Sequence, residues 1–465
     1  MAGTRLHRAL VGAGAVMLAL LTACTPGSQA TPTGTPIESL TAAPSALSPA
    51  PLQAGDWPTY HHDAARTGAA LGLPPPGTLH TAWTARLDGA VYGEPLIVRD
   101  EVIVATESDT VYALDPADGR IVWQRNVGTP VPGSALPCGD ISPLGITGTP
   151  VFDPATGLVF AVAEVSGGHH ELVGLDAVNG SLVVRREVEP PRGELIAYQQ
   201  RPALALAGGR VYVAFGGLDG DCSDYIGTVL SVPTTGSGPI GSYVVPTSRL
   251  AGIWAPGGPA VDGSRLLVGV GNGASTASFD GSDSILSLDA ASLSRTDFFA
   301  PETWAQDNAR DADLGSMTPV RVGPYVFADG KAGTGYVLDA GHLGGIGGAR
   351  DEATVCPAFG APAVTGMTLF VPCEDGLQQV TVSSSGAISL GWRLSLQAAG
   401  SPVVGAGAVW VIDYGADELY ALDPADGHVQ QKVQLNPVPH FVTPTLAAGR
   451  VFVGTLDGVT ALAGA

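Results

Sequence analysis

"VYALDPADGRIVW" (111–123) returns far downstream as "LYALDPADGHVQQ" (419–431), with the octapeptide YALDPADG identical in both. The alternating apolar positions before Asp115 read as a strand, and those after Gly119 as its partner, because a period of two gives one face to a core. Between them the Asp115 carboxylate is suited to cap a turn, and Gly119 supplies backbone angles closed to other residues. Each copy is therefore a strand–turn–strand hairpin.

Working outward, each hairpin follows a small-Pro-apolar stretch that carries a hairpin of its own: "GEPLIVRDEVIVAT" (93–106) and "GSPVVGAGAVWVID" (400–413). The same opening recurs at "GTPVFDPATGLVFAVA" (148–163), "RPALALAGGRVYVAFG" (201–216), "GGPAVDGSRLLVGVG" (257–271), "MTPVRVGPYVFADG" (317–330), "GAPAVTGMTLFVP" (360–372) and "VTPTLAAGRVFVG" (442–454). Eight units of four strands, named A to D, at a period of roughly forty to sixty residues are the signature of a β-propeller. The last unit stops after strand C, at Leu462, while "LHTAWTARLDGAVYGEP" (79–95) reads as strand D running into strand A, with Trp83 placed as Trp123 and Trp392 are. The expected fold is all-β: an eight-bladed propeller, circularly closed by the N-terminal strand pairing with the last blade, which removes an exposed edge.

Ahead of the repeat, Arg5 and Arg8 precede an apolar run from Leu10 to Leu21, the layout of an export signal. It ends in Leu21-Thr22-Ala23-Cys24, which resembles the lipobox of bacterial lipoproteins. That resemblance implies a signal peptide over 1–23, lipidation of Cys24 and a lipid-anchored, extracytoplasmic place at the cell membrane. Residues 24–55, rich in Pro, Thr, Ser and Ala, bury too little apolar area to offset their ordering and read as a disordered tether. The propeller is expected over 56–465. A formal charge of −21 argues against nucleic acid or anionic lipid as a partner, since both would be repelled.

Of the five cysteines, Cys138, Cys222, Cys356 and Cys373 remain after Cys24. An even count in an exported chain suggests two disulfides with three possible connectivities. Geometry favours Cys138 with Cys222, across blades 2 and 3, and Cys356 with Cys373, across one hairpin. None stands in a metal-ribbon or haem-attachment spacing.

In a propeller the A–B and C–D turns share one face, and the D–A and B–C loops the other. The long segments here are D–A (127–146, 188–200, 294–316) and B–C (217–225, 272–283). Long loops on one rim of a rigid scaffold are where binding usually sits, so a protein or small-molecule ligand is expected on the D–A/B–C face.

The repeat resembles the quinoprotein dehydrogenase-like propellers, which bind pyrroloquinoline quinone (PQQ) and Ca²⁺; non-catalytic relatives share the repeat. "DWPTYHHDAARTG" (56–68) is similar to that family's motif ahead of the closing strand. "GIWAPGGPAVDGSRLLVGVGNG" (252–273) is similar to the stretch with the tryptophan under the quinone and an Asn ligand of Ca²⁺, which implies Trp254 and Asn272. "DADLGSMTPV" (311–320) implies Asp313 as base and metal ligand, and "DGKAGTGYVLDAGHLG" (329–344) implies Lys331 on the quinone oxygens. Thr147 and Ser166 fall where the cofactor's edge is contacted, and Glu164 is nearest to the acidic Ca²⁺ ligand. The departures are the missing adjacent-cysteine pair and His169 where an acidic ligand belongs. The neighbouring His169 and His170 read as a solvent-exposed pair. The leading expectation is a ligand- or protein-binding scaffold at the cell surface; the alternative is a PQQ- and Ca²⁺-dependent alcohol dehydrogenase.

Overall fold

The octapeptide hairpin is the outer half of a four-stranded antiparallel sheet: Leu96–Val98 (A), Glu101–Ala105 (B), Thr110–Leu114 (C) and Ile121–Asn126 (D). Strand A is wholly buried and strand D mostly exposed, so the sheet runs outward from the molecular axis. The Asp115 carboxylate accepts from Ala117 N at 2.9 Å, and Gly119 sits at φ +74°, as the turn requires. Seven more such sheets follow in sequence order in a computed structural model that describes residues 48–464. The export signal, Cys24 and the tether up to residue 47 lie outside the described residues. Strand Leu79–Arg86 pairs antiparallel with Gly458–Gly464 and completes blade 8, closing the ring as expected.

The turn glycine has a second reason, which lies in the neighbouring blade. Trp83, on the closing strand, donates its Nε1–H to Pro116 O at 3.0 Å and lays its ring against Gly119, where an added Cβ would stand 2.6 Å from the ring. Trp123 makes the same dock on Ala177 O and Gly180, and Trp392 on Pro424 O and Gly427. One blade's strand D thus reads the next blade's C–D turn.

Residues 56–68 pass from blade to blade at the level of the innermost strands. Trp57 exchanges backbone bonds with Ile97 (blade 1), Pro58 O accepts from Phe152 N (blade 2) and Ala64 O from Val261 N (blade 4). Thr67 O accepts from Val364 N (blade 6) and Gly68 O from Val404 N (blade 7), before Ala69–Ala70 pairs parallel with Val404 and Gly405. Arg66, completely buried, donates to Leu204 O (blade 3) and to Thr59 Oγ1 and Tyr60 O. This crossing segment closes the axial channel. Packing begins before residue 56: Ala50 is buried and its N–H meets Pro154 O at 2.8 Å, so the tether expected over 24–55 gives way to docked chain by Ser48.

Both disulfides form as geometry favoured, Cys138–Cys222 with Cα atoms 6.0 Å apart and Cys356–Cys373 at 5.6 Å. No helix among the described residues is long and apolar enough to cross a membrane.

The docks predict an ordering of glycine variants. Gly119→Ala and Gly427→Ala each combine a strained φ with overpacking against a tryptophan and are expected to cost about 2–3 kcal/mol. At Gly263, φ is +62° but an added Cβ meets open space, so Gly263→Ala should cost about 1 kcal/mol. Urea denaturation of the three variants checks the order.

Candidate functional site

On the D–A/B–C face the axis opens into a cavity of about 590 Å³ whose walls come from the loops of many blades. One wall is aromatic. Trp254, in the segment leading into blade 4, lies 6.3 Å from Phe359 and 6.4 Å from Phe441, and the two phenyl rings stack at 5.7 Å. Phe441 adopts φ +59°, which a bulky side chain rarely takes, and this turns its ring toward the other two. Two cations stand against this wall: the Lys331 ammonium 5.4 Å over the Trp254 ring, and the Arg201 guanidinium 5.6 Å from the Phe441 ring and 5.8 Å from that of Tyr92. Asp140, Asp219, Asp221 and Asp311 also line the cavity. The Cys138–Cys222 bridge abuts Gly220 between two of them and pins that rim.

Trp254, Asn272 and Lys331 line this space together, as the resemblance implies. Asp313 stands behind it, with no exposed surface. One of its oxygens lies 3.0 Å from Lys331 Nζ, and the other accepts from Trp254 Nε1 at 3.2 Å. Burial lifts the Asp313 carboxyl above its ordinary range and Lys331 pulls it back. Burial alone would depress the Lys331 ammonium, but Asp313 and Asp311, the latter at 2.7 Å, outweigh it.

The remaining candidates lie elsewhere, at the junction of blades 1 and 2. Ser166 is exposed and donates to Thr129 O, while Thr147 is buried beside Glu107. Glu164 is buried in an ion pair with His170 Nε2 at 3.4 Å. The two histidines therefore part company. His169 is exposed, but His170 is completely buried between Glu164 and Glu189; burial opposes its charge, yet the two carboxylates raise it to about 9. The reading of both as solvent-exposed fails for His170, because strand alternation turns it inward.

These contacts also test the implied calcium ion. Its oxygen donors are differently engaged: Glu164 faces His170, Asp313 faces Lys331 and Trp254, and of the three only Asn272 borders the cavity. Among the described residues no group of three or more His, Cys, Asp or Glu is arranged to hold a metal ion. The residues present do not fit Ca²⁺.

Sequence reading missed Arg201, Phe359 and Phe441. A signal was present for these three: Arg201, Phe359 and Phe441 stand one to three residues before Pro202, Pro362 and Pro444, each of which leads into a strand A.

Comparison with known proteins places this geometry. Residues 78–220 match the family model described as "Outer membrane protein assembly factor BamB". No curated protein sequence matches. Among solved structures, BamB from Moraxella catarrhalis superposes with TM-score 0.58 at 17% identity, covering 83% of this chain and 99% of that one. The quinohemoprotein alcohol dehydrogenase from Comamonas testosteroni gives TM-score 0.64 at 15% identity, over 88% of this chain and 80% of that one. A europium-containing methanol dehydrogenase gives 0.68 at 14%, over 88% and 98%. The fold is the PQQ-like eight-bladed propeller that these proteins share.

The blade 1–2 junction predicts a pH dependence of stability. Burial, then Glu107, Glu164 and Glu171, raises Asp109 to about 8 with only Arg185 opposing; burial raises Glu107 to about 7. Folded, these carboxyls hold protons that the unfolded chain has released, so stability is lost as pH rises from their ordinary values to the raised ones. Between about pH 5 and about pH 8 the fall is expected to be on the order of 5 kcal/mol, and smaller in Asp109→Asn. Denaturant titrations across that range read it directly.

Proposed function

We propose that this protein is a binding propeller, exported and lipid-anchored at Cys24, that takes a ligand into the funnel of its D–A/B–C face and does not oxidise alcohols. The observation that carries this reading is the state of Asp313. A general base must come within hydrogen-bond reach of its substrate. Asp313 has no exposed surface and spends its oxygens on Lys331 and Trp254. An ammonium here occupies the carboxylate that a hard cation would need. Trp254, with Phe359 and Phe441 beside it, remains as a recognition surface.

The family match to an assembly factor over residues 78–220 supports a binding role, with a protein as the other class of occupant for this face. A PQQ- and Ca²⁺-dependent dehydrogenase is the second reading. It is favoured by the Trp254–Lys331 pair and by the fold shared with an alcohol dehydrogenase, and opposed by the ion pairs that already engage Glu164 and Asp313.

Titrating the purified protein with PQQ and Ca²⁺ separates the two. The binding reading expects no dye-linked alcohol oxidation, and the same null result for Asp313→Ala; turnover that Asp313→Ala abolishes would reverse the assignment. The anchor has its own test. Cys24→Ala is expected to move the protein from the membrane fraction to the soluble extracytoplasmic fraction, and unchanged membrane retention would remove Cys24 from the account.

A further inference from the structure

The funnel holds one cation that the fold leaves unanswered. Arg201 is 7% exposed, yet its guanidinium makes a single hydrogen bond, from Nη2 to His440 O at 3.3 Å. Among the described residues no carboxylate lies within ion-pair distance of it; Glu107 and Asp140 act on it only from farther away. Asp140 is instead turned to His440, 3.5 Å from Nδ1. His440 offers no compensation, since burial, and then Arg201, drives its pKa down to about 3 and leaves it neutral. Arg66, the other buried arginine without a carboxylate, is better served: three neutral oxygens accept from its two terminal nitrogens, with Nε left unpaired. Arg201 carries five N–H donors, borders the cavity and uses one of them. A buried charge left in this state is costly, and a carboxylate accepting from the guanidinium fork relieves it.

The surroundings narrow the anion. Lys331 is already consumed by Asp311 and Asp313, so among the described residues Arg201 is the one cationic group at the cavity free to meet a ligand. Asp140, Asp219, Asp221 and Asp311 line the same space on a chain of net charge −21, so a second or third negative charge on the ligand would be repelled. Beside Arg201 the Trp254–Phe359–Phe441 wall offers apolar faces, and a cavity of about 590 Å³ accommodates a small organic molecule.

We infer that the ligand of this funnel is a small monocarboxylate with an aromatic or alicyclic body: Arg201 receives the carboxylate, and the body lies against Trp254, Phe359 and Phe441. The inference rests on the binding reading above and names its ligand class.

The test compares two probes of one shape. The purified protein is titrated, by tryptophan fluorescence or calorimetry, with 3-phenylpropanoate and with its uncharged amide, 3-phenylpropanamide. The acid is expected to bind more tightly by on the order of tenfold to a hundredfold, the range of a charge-assisted hydrogen-bonded pair. That preference should weaken with salt and vanish in Arg201→Gln, while Lys432→Gln, on the outer strand of blade 7, keeps it. Should Arg201→Gln fail to fold by circular dichroism, the acid–amide comparison on the unaltered protein decides alone. Equal binding of acid and amide, or tighter binding of the dianion phenylsuccinate, overturns the monocarboxylate inference and leaves the binding reading standing. No saturable binding of either probe overturns the monocarboxylate inference as well, and leaves the binding reading to the PQQ titration.

Discussion

The Arg66 guanidinium, wholly buried on the propeller axis, bonds a carbonyl of blade 3 and two oxygens of its own crossing segment. An eight-bladed ring is wide enough to leave a channel at its centre, and an open channel would strand the inner faces of every strand A in water. Residues 56–68 remove that channel with backbone bonds to blades 1, 2, 4, 6 and 7, while Arg66 supplies the one to blade 3. Because the same chain goes on to supply the closing strand Leu79–Arg86, filling the axis and sealing the ring are one covalent event.

With the axis plugged, the two faces become unequal. One keeps tight turns, several of which serve as docking points for the preceding blade's tryptophan. The other gathers long loops around a funnel whose floor and walls are set by residues just upstream of the strand A prolines. There the Lys331–Asp313 ion pair has a decisive effect. In one arrangement a lysine and an aspartate beside a tryptophan would be tools for chemistry; in this one they neutralise each other at the Trp254 ring. What remains able to meet a ligand is the aromatic wall and Arg201.

Legibility of the site followed the physics of the loops. Trp254, Asn272 and Lys331 were readable because short motifs fix them close to regular strands. Thr147, Ser166 and Glu164 were readable as residues but not as a site, because what each faces is set by neighbours from other segments: Glu107 for Thr147, Thr129 O for Ser166 and His170 for Glu164. His170 shows the same limit at one residue: a loop reading places it outside, whereas the strand His169–Asp176 turns it into the core between two carboxylates.

The sequence by itself determined the repeat, the number of blades, the closing strand and the turn conformation of YALDPADG, because each depends on periodicity and on backbone angles local to a few residues. Only the tertiary structure decided that Gly119 and Gly427 are also seats for a neighbouring blade's tryptophan, that Asp313 is locked away, and that Arg201 faces a cavity without a counter-charge. Those facts depend on which side chains from distant blades meet at an interface or on the axis. A one-dimensional pattern specifies the angle of a turn, but the partner that fills the space beside it is fixed only when the ring closes.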